Sequence, residues 1–426
     1  MLLVVVGFCS PVTLARGDAP ATQPDRPTIF QRLAPAQLAR FDRDRAALAA
    51  KIRKIDVPYP FVRGVFHAHS RLSHDSRGTI DEIVAAAKAT STRIIGLTEH
   101  PSREVDVVAE NVKGWRDGVY FLAGTEQNNE LYWPGRDGTP SLRFVAHPEE
   151  VETVDRTRYT GMEIYNTHSD AIDEPIRQLI AAAVLSLPAA VQHPEAAFCA
   201  LLETPRAFLS RFDRLTRESP FAGLAANDSH QNQRIKLVAL PDGDVEAFNA
   251  DHERIWKGGG VPAAVFRTAF KLKAVPNEPA VLVDFQLDPY AISMRHVGTF
   301  LQLSEINERS VRNALRTGRI CLGFEIVAPL PQVGFWIERE GKPIGTVGDQ
   351  VAWSHATTLR CALPTEAEIR IIRNGTCILE TKADRVTLDD VQPGVYRMEA
   401  HQTLAGRQLP WVLTNPIYVR EGASTP

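Results

Sequence analysis

The stretch that decides the fold is residues 65–98, VFHAHSRLSHDSRGTIDEIVAAAKATSTRIIGLT. It begins with one short apolar run, Val65–His69, and closes with another, Arg93–Thr98, and both runs are typical of buried strands. The segment between them has helical apolar spacing, and Thr79 with Glu82 forms the pattern of a capping box at its start. Strand, helix and strand in this order predict a β-α-β unit with parallel strands.

The same alternation continues on the C-terminal side. Further strand-like runs, with helical segments between some of them, occupy residues 119–124, 142–146, 162–165 and 222–226. Later, Ser304 is predicted to open a helix over residues 305–317 that stops at Gly318. This alternation predicts an α/β protein built on a largely parallel sheet or barrel.

Both flanks of this region have a different pattern. Residues 34–56 carry apolar residues such as Leu38 and Phe41 at helical spacing, which predicts an amphipathic helix packed on the outside of the barrel. After residue 328, apolar and polar residues alternate between turn signals, which predicts a smaller C-terminal antiparallel β-sandwich domain. The predicted division is an N-terminal linker and helix over 22–61, a barrel over 62–327 and a sandwich over 328–426.

Composition limits the classes of function. Residues 1–21 begin with an apolar run and predict a signal peptide, hence a periplasmic or secreted protein; a misannotated start and a cytoplasmic protein are the alternative. No later segment reaches the roughly 20 apolar residues of a membrane span. The net charge of -3 is spread without the basic patch that nucleic-acid binding requires. The cysteines show no C-x-x-C spacing, so a zinc finger is not indicated.

Eight of the twelve histidines fall between residues 67 and 230, in acidic company. His67 with His69, and Asp228 with His230, are each two positions apart, so on a strand the two side chains of a pair share a face. The other candidates follow later strands or lie in the first loop, and they are His74, Asp75, His100, Glu126 and His147. Nitrogen and carboxylate ligands without thiolates suit zinc, manganese or iron, and a shared carboxylate can join two ions. A hydrolytic centre of two or three divalent ions is therefore predicted.

The order of these motifs resembles the PHP family, named for polymerase and histidinol phosphatase. Over residues 62–325 the motifs are Phe66–His69, Leu97–His100, Gly124–Glu126, Val145–Pro148 and Asn227–His230. The resemblance implies a distorted TIM-like β/α barrel with metal ions at the C-terminal ends of its strands, and cleavage of phosphate esters. The later segments Tyr396–Arg397, Trp411 and Thr414–Val419 resemble a branch of this family named after a carbamate-insecticide hydrolase.

The resemblance also implies a distribution of ligands. One ion is expected at His67, His69, Glu126 and Asp228, a second at Asp75, His100 and His230, and a third at His147 with Glu126. His74 is the alternative to Asp75.

Two departures from the family pattern concern this set. Glu99 stands where an aspartate is usual, which lengthens a carboxylate behind the ligands. The chain also has no histidine between Glu126 and His147, so the third position lacks a ligand that many members supply. His168 and His193 are the candidates to fill this gap, and a structural role is the alternative for each.

The expected function is a metal-dependent phosphoesterase in which a metal-bridging hydroxide attacks a small-molecule ester. Asp228 is predicted to orient the attacking water, and His193 is a second catalytic candidate. Arg71 is a candidate to hold an anionic substrate group, with a solvated loop charge as its alternative. Two other functions stay open: a carbamate or carboxylic ester hydrolase with the same centre, and a non-catalytic binding or structural module. The sequence predicts no oligomeric state.

Overall fold

The computed structural model describes residues 27–136, 138–172 and 174–422. The predicted signal peptide, residues 1–21, lies outside the described residues, so export stays a prediction. The helices are α1 Ile29–Arg32, α2 Pro35–Ala49, α3 Ile80–Ala89, α4 Val107–Glu110, α5 Thr167–Ile172, α6 Ile176–Gln192, α7 Pro194–Cys199, α8 Arg206–Glu218, α9 Gly260–Ala269, α10 Tyr290–His296 and α11 Glu308–Thr317.

The strands of the first half of the chain are β1 Phe61–Ala68, β2 Ile94–Glu99, β3 Gly114–Arg116, β4 Val119–Gln127, β5 Glu130–Trp133, β6 Leu142–Val145, β7 Gly161–Asn166, β8 Ala222–Ser229, β9 Arg234–Ala239, β10 Val245–Phe248, β11 Arg254–Gly258 and β12 Ala280–Gln286. Those of the remainder are β13 Gly298–Gln302, β14 Ile320–Gly323, β15 Gly334–Arg339, β16 Lys342–Thr346, β17 Gln350–Ala352, β18 Thr357–Arg373, β19 Thr376–Leu388, β20 Gly394–Leu404, β21 Arg407–Thr414 and β22 Ile417–Arg420.

Seven strands close a barrel in the order β1, β2, β4, β5, β6, β7, β8 and back to β1. Five of the seven pairings are parallel, and β5 runs antiparallel to both of its neighbours. The reversal follows from the turn before β5, where Asn128 and Asn129 both have left-handed φ angles of 52° and 58° and leave no room for a helix. A mixed α/β barrel is thus present, but it has one antiparallel strand.

The unit predicted from residues 65–98 forms as β1, α3 and β2, with β1 and β2 parallel. Thr79 caps α3: its hydroxyl accepts from the backbone N of Glu82 at 3.2 Å, and the Glu82 carboxylate accepts from the backbone N of Thr79 at 2.8 Å. The apolar face of α3, including Ile83 and Ala87, is fully buried against the barrel strands. The capping box is therefore confirmed.

An antiparallel sheet that the sequence did not predict follows β8. Its four strands lie in the order β11, β10, β9, β12, and its small core contains Leu237 and Val245 together with Leu187 of α6. Because β8 runs towards the end of the barrel that carries the predicted ligands, the chain enters this sheet directly beside them.

The C-terminal strands are joined to the barrel by hydrogen bonds. The first half of β1 pairs with β13, β13 pairs with β14, and β14 pairs with β21. Most of the later pairings are antiparallel, as expected, but β17 and β22 pair in parallel. The sandwich arrangement and the boundary at residue 328 stay predictions.

Two predicted helices have different limits in the structure. The N-terminal helix ends at Ala49 instead of continuing to residue 56, because the backbone N of Arg53 donates to Pro364 of β18 at 2.9 Å. Helix α11 starts after Asn307 instead of Ser304, because the Asn307 side chain accepts from the backbone N of Ser310 at 2.9 Å. None of the described helices combines the length and apolar character that a membrane crossing demands.

Candidate metal centre

The eight predicted ligands come together at the C-terminal end of the barrel strands. Seven of them form two groups, within each of which the nitrogen and oxygen atoms lie within 4.8 Å of one another. One group contains His69, His100 and His230, and the other contains His67, Glu126, His147 and Asp228. Asp75 adjoins the first group, with its Oδ2 at 3.4 Å from His100 Nε2 and 3.5 Å from His230 Nε2. His69 belongs to the first group, but its Nε2 also lies 3.2 Å from Glu126 Oε2 and 3.5 Å from Asp228 Oδ1, two of the residues with which the motif resemblance groups it.

Left-handed backbone at three of these residues directs their side chains. His67, His147 and Asp228 have φ angles of 68°, 45° and 48°. At His67 the register of β1 against both neighbouring strands also shifts, which marks a bulge. The same-face argument from strand geometry therefore applies only in part, since the bulge turns His67 inward. Non-glycine residues in this conformation cost free energy and are typical of functional sites.

Glu163 of β7 orients His67. Its Oε1 accepts a hydrogen bond from His67 Nδ1 at 2.7 Å, so His67 Nε2 points to Glu126 Oε2 at 2.9 Å and Asp228 Oδ1 at 3.2 Å. Glu163 is fully buried, and its other oxygen accepts from the backbone N of His147 at 3.0 Å. The sequence analysis missed this residue, although a glutamate inside an apolar strand run was the signal that could have found it.

Glu99 orients His69 through Ser73. The Ser73 hydroxyl donates its one proton to Glu99 Oε2 at 2.7 Å, so the contact of 3.1 Å between His69 Nδ1 and this hydroxyl requires Nδ1 to donate. The Nε2 atom of His69 then carries a free lone pair, and it is buried without a hydrogen-bond partner among the described residues. The longer carboxylate at position 99 thus lies behind the ligands, where the motif predicted it.

His100 and His230 are oriented by backbone carbonyls. Their Nδ1 atoms donate to the carbonyl oxygens of Glu126 at 3.3 Å and Asp228 at 3.0 Å, so both Nε2 atoms face Asp75. In the described part of the chain, His230 Nε2 and Asp75 Oδ1 are buried without hydrogen-bond partners. Unsatisfied buried atoms are costly unless something binds them. Lone pairs and carboxylate oxygens that converge in this way fit a divalent cation.

His147 differs from these four histidines. The side-chain amide of the neighbouring Asn166 has a fixed orientation. Its Oδ1 accepts from the backbone N of His168 at 2.8 Å, and its Nδ2 donates to Glu163 at 2.8 Å. The same Nδ2 faces His147 Nδ1 at 3.3 Å, so the proton of a neutral His147 lies on Nε2, which donates to Glu126 Oε1 at 2.8 Å.

The structure also shows where His168, His74 and Arg71 lie relative to the cluster. The ring of His168 lies 5.2 Å from that of His147, and its Nδ1 is 3.9 Å from Asp228 Oδ2, so the structure brings His168 to the cluster. His74 is exposed at the rim, with its ring 5.4 Å from that of His100, and Asp75 instead points inward. Arg71 is exposed in the same loop.

His193 is not brought to the cluster. It lies between α6 and α7 in the helical layer, where its Nδ1 is 2.6 Å from Asp42 Oδ2 on α2. It follows a helix instead of a barrel strand, so its side chain is not delivered to the end where the strand-borne ligands meet. The tentative catalytic assignment of His193 is therefore corrected.

The charges in the cluster are strongly coupled. Burial alone lowers the pKa of His67, but the charges of Glu126 and Asp228 outweigh it and raise this pKa well above its usual value. Burial also opposes ionisation of Glu126 and Asp228, yet the positive charge of His67 holds the pKa of each carboxyl well below its usual range. Against burial, Asp228 raises the pKa of His230 to about 9. Protons on the histidines thus balance the carboxylates, and a divalent cation can replace them.

Comparisons with known proteins add little to this geometry. No family model and no curated protein matches the chain. Three chains of solved structures match it. One is the crystal structure of a two-domain protein from Bacteroides vulgatus that contains a predicted PHP-like metal-dependent phosphoesterase, with 13% identity, a TM-score of 0.32, and coverage of 85% of this chain and 98% of that chain. A similarity of this degree decides neither fold nor activity, so the functional inference depends on the side chains of the cluster.

Proposed function

We propose that the protein is a metal-dependent phosphoesterase that acts on a small-molecule substrate. One observation carries the metal-dependent part: the Nδ1 atoms of His67, His69, His100 and His230 all donate to protein acceptors, so four Nε2 atoms point into one carboxylate-lined site. The choice of phosphate esters comes from the motif resemblance described above.

The residues divide between two ions. His67, Glu126 and Asp228 would hold one, and Asp75, His100 and His230 would hold the other. His69 lies between them, because its Nε2 is 3.2 Å from Glu126 Oε2 while its ring stacks on that of His230 at 4.0 Å between centroids. A third ion at His147 and His168 with Glu126 would require His147 to give up the Nε2 proton that it donates to Glu126. The nitrogen and oxygen ligands suit zinc, manganese or iron.

When bound, the ions would supply a Lewis acid and would lower the pKa of a coordinated water towards ~7. The chain's own groups do the positioning. Asp228 stays ionised near neutral pH and so only accepts hydrogen bonds, which suits it to orient the attacking water through Oδ2. Glu163 and Ser73 fix the rings of His67 and His69. Arg71, exposed in the loop after β1, is the candidate to hold an anionic substrate group.

The test combines elemental analysis with a substrate panel. Purified protein is expected to hold at least two divalent transition ions per chain and to hydrolyse phosphomonoesters or phosphodiesters in preference to aryl carbamates and carboxylic esters. His67→Ala and Asp228→Asn should abolish turnover, and His67→Ala should also lower the metal content. His355→Ala is the matched control, because this exposed histidine packs edge-to-face against Trp353 in the C-terminal region.

Each other outcome selects another function. Hydrolysis of carbamates alone would replace the phosphoesterase by a carbamate hydrolase with the same centre. If the purified protein contains no transition metal, and His67→Ala changes neither its metal content nor its rate of hydrolysis, the barrel is a non-catalytic module.

A further inference from the structure

A second charged site lies outside the barrel, in a cleft of about 420 Å³ between α8 and the C-terminal strands. One side is a single face of α8, where Arg206, Arg214 and Arg217 lie at helical spacing. The opposite side carries Arg370 of β18 and Arg397 of β20. Two carboxylates, those of Asp213 and Glu399, also line the cleft, so its lining has an excess of three positive charges.

Both carboxylates form ion pairs with the arginines at the floor of the cleft. Buried Arg397 forms a two-pronged pair with Asp213, at 2.6 and 2.8 Å, and a third contact with Glu399 at 2.6 Å. Arg370 donates to Glu399 at 3.1 Å. Asp213 is a residue of α8 itself and Glu399 belongs to β20, so this network is neutral and offers no further negative charge to the exposed arginines of the cleft.

The three arginines of α8 that line the cleft, Arg206, Arg214 and Arg217, keep an uncompensated charge. All three are exposed, and none has a carboxylate within 4 Å among residues 27–136, 138–172 and 174–422. Within the described part of the chain, Arg214 donates only to Ser210 Oγ, at 3.2 Å, and Arg217 only to the backbone carbonyl of Asn374. Arg214 and Arg217 lie three positions apart, and like charges at this spacing destabilise a helix, so an anion bound between them would reduce this repulsion.

The Asn374–Gly375 turn closes one end of the cleft. Gly375 has a φ of 79°, and a Cβ there would lie 2.9 Å from Arg217 Nη2 and 3.3 Å from Asp213 Cβ. The turn therefore holds Arg217 against the cleft. All five cations are arginines, whose planar fork matches the oxygens of a phosphate better than lysine does.

We propose that this cleft binds a small phosphate-type oxyanion with about two negative charges, either free phosphate or the phosphate group of a small organic molecule. The cleft volume falls at the small end of the range for ligand sites. The proposal is independent of the metal centre, because the cleft is formed by α8 and the strands outside the barrel.

Calorimetric titration of the full chain with inorganic phosphate and with glycerol 1-phosphate tests the proposal. Each titration is repeated after metal has been removed with a chelator, so that binding at the metal centre is separated from binding in the cleft. We expect binding that persists after chelation and weakens as salt is added. Arg214→Gln with Arg217→Gln should weaken it roughly tenfold or more, the effect of losing at least one charge-assisted hydrogen bond.

Arg43→Gln is the matched control, because Arg43 is also an exposed helical arginine with no ion pair to a described residue. It should leave the affinity unchanged, and the melting temperatures of all variants report whether they fold. Tighter binding of glycerol 1-phosphate identifies an organic phosphate as the ligand, and equal or tighter binding of inorganic phosphate identifies the free ion. The proposal is overturned if chelated protein binds neither compound, or if the double variant binds as tightly as the parent.

Discussion

Replacing Glu163 by glutamine should weaken metal binding without touching any proposed ligand. The carboxylate now accepts at both oxygens, from His67 Nδ1 at 2.7 Å on one side and from the backbone N of His147 and Asn166 Nδ2 on the other. An amide has one accepting oxygen and one donating nitrogen. If the amide NH2 group of the glutamine points towards His147 and Asn166, it faces two other donors. If it points towards His67 Nδ1, it favours the His67 tautomer whose proton is on Nε2, and Nε2 is the atom that would bind the metal.

The size of the effect follows from the interaction lost. A hydrogen bond to a charged group contributes about 1.5–3 kcal/mol, and each 1.4 kcal/mol changes an equilibrium constant about tenfold. We therefore expect the most sensitive metal site of Glu163→Gln to bind roughly 10- to 100-fold more weakly, which is the usual effect of losing a carboxylate behind a metal-binding histidine. Turnover at saturating metal should fall less than turnover at limiting metal.

Competition with a chromophoric chelator measures the affinity, and elemental analysis measures the number of ions. Glu130→Gln is the matched control, because Glu130 is also a buried barrel carboxylate but pairs with Arg143 and Arg158. It should lower the melting temperature and leave the metal affinity intact. The reasoning is refuted if Glu163→Gln binds metal as tightly as the parent, or if Glu130→Gln weakens metal binding to the same extent.

Three further predictions concern pH, packing and a corrected residue. The pKa of His230 is about 9 in the folded protein against 6.5 for a free histidine, so its protonation stabilises the metal-free protein by about 3 kcal/mol below pH 6.5. This stabilisation is lost as the pH rises through 9, and urea unfolding of chelated protein at several pH values should show the loss. If His230→Ala loses the same stability over this pH range, the loss does not come from His230. Gly78→Ala places a Cβ 2.0 Å from the Tyr290 ring, so overpacking should cost about 1–3 kcal/mol in thermal or urea unfolding, whereas unchanged stability would mean that the ring moves freely. His193→Ala breaks a half-exposed pair with Asp42, so we expect under about 1 kcal/mol of destabilisation and parental turnover in a steady-state assay; loss of turnover in folded protein would restore its catalytic role.

Local patterns predicted the elements that carry the site. The apolar runs and the capping box placed β1, α3 and β2 correctly, since strand burial and helix capping depend on residues close in the chain. Parallel strands bring their C-terminal ends to one edge, so His67, Glu126 and Asp228 were predicted to meet although they are far apart in sequence. Five of the parallel pairings needed for that meeting are present.

Other features of the fold depend on contacts between distant segments. The short strands β9 to β12 form an inserted sheet whose core includes Leu187 of α6, and no local sequence pattern predicts that these segments pack together. The N-terminal helix stops at Ala49 because the backbone just after it is hydrogen-bonded to β18, more than 300 residues later in the chain.

The sequence by itself determined which residues carry side chains of the kind that bind metal and at which strand ends most of them lie. Only the tertiary structure decided how they are oriented. Glu163 reaches His67 because β7 and β1 both flank β8 in the closed barrel, and His168 rather than His193 faces Asp228 because α5 follows a barrel strand directly. Which histidine nitrogen is left without a proton depends on acceptors from other strands and loops, and those partners are set by barrel closure, not by spacing along the chain.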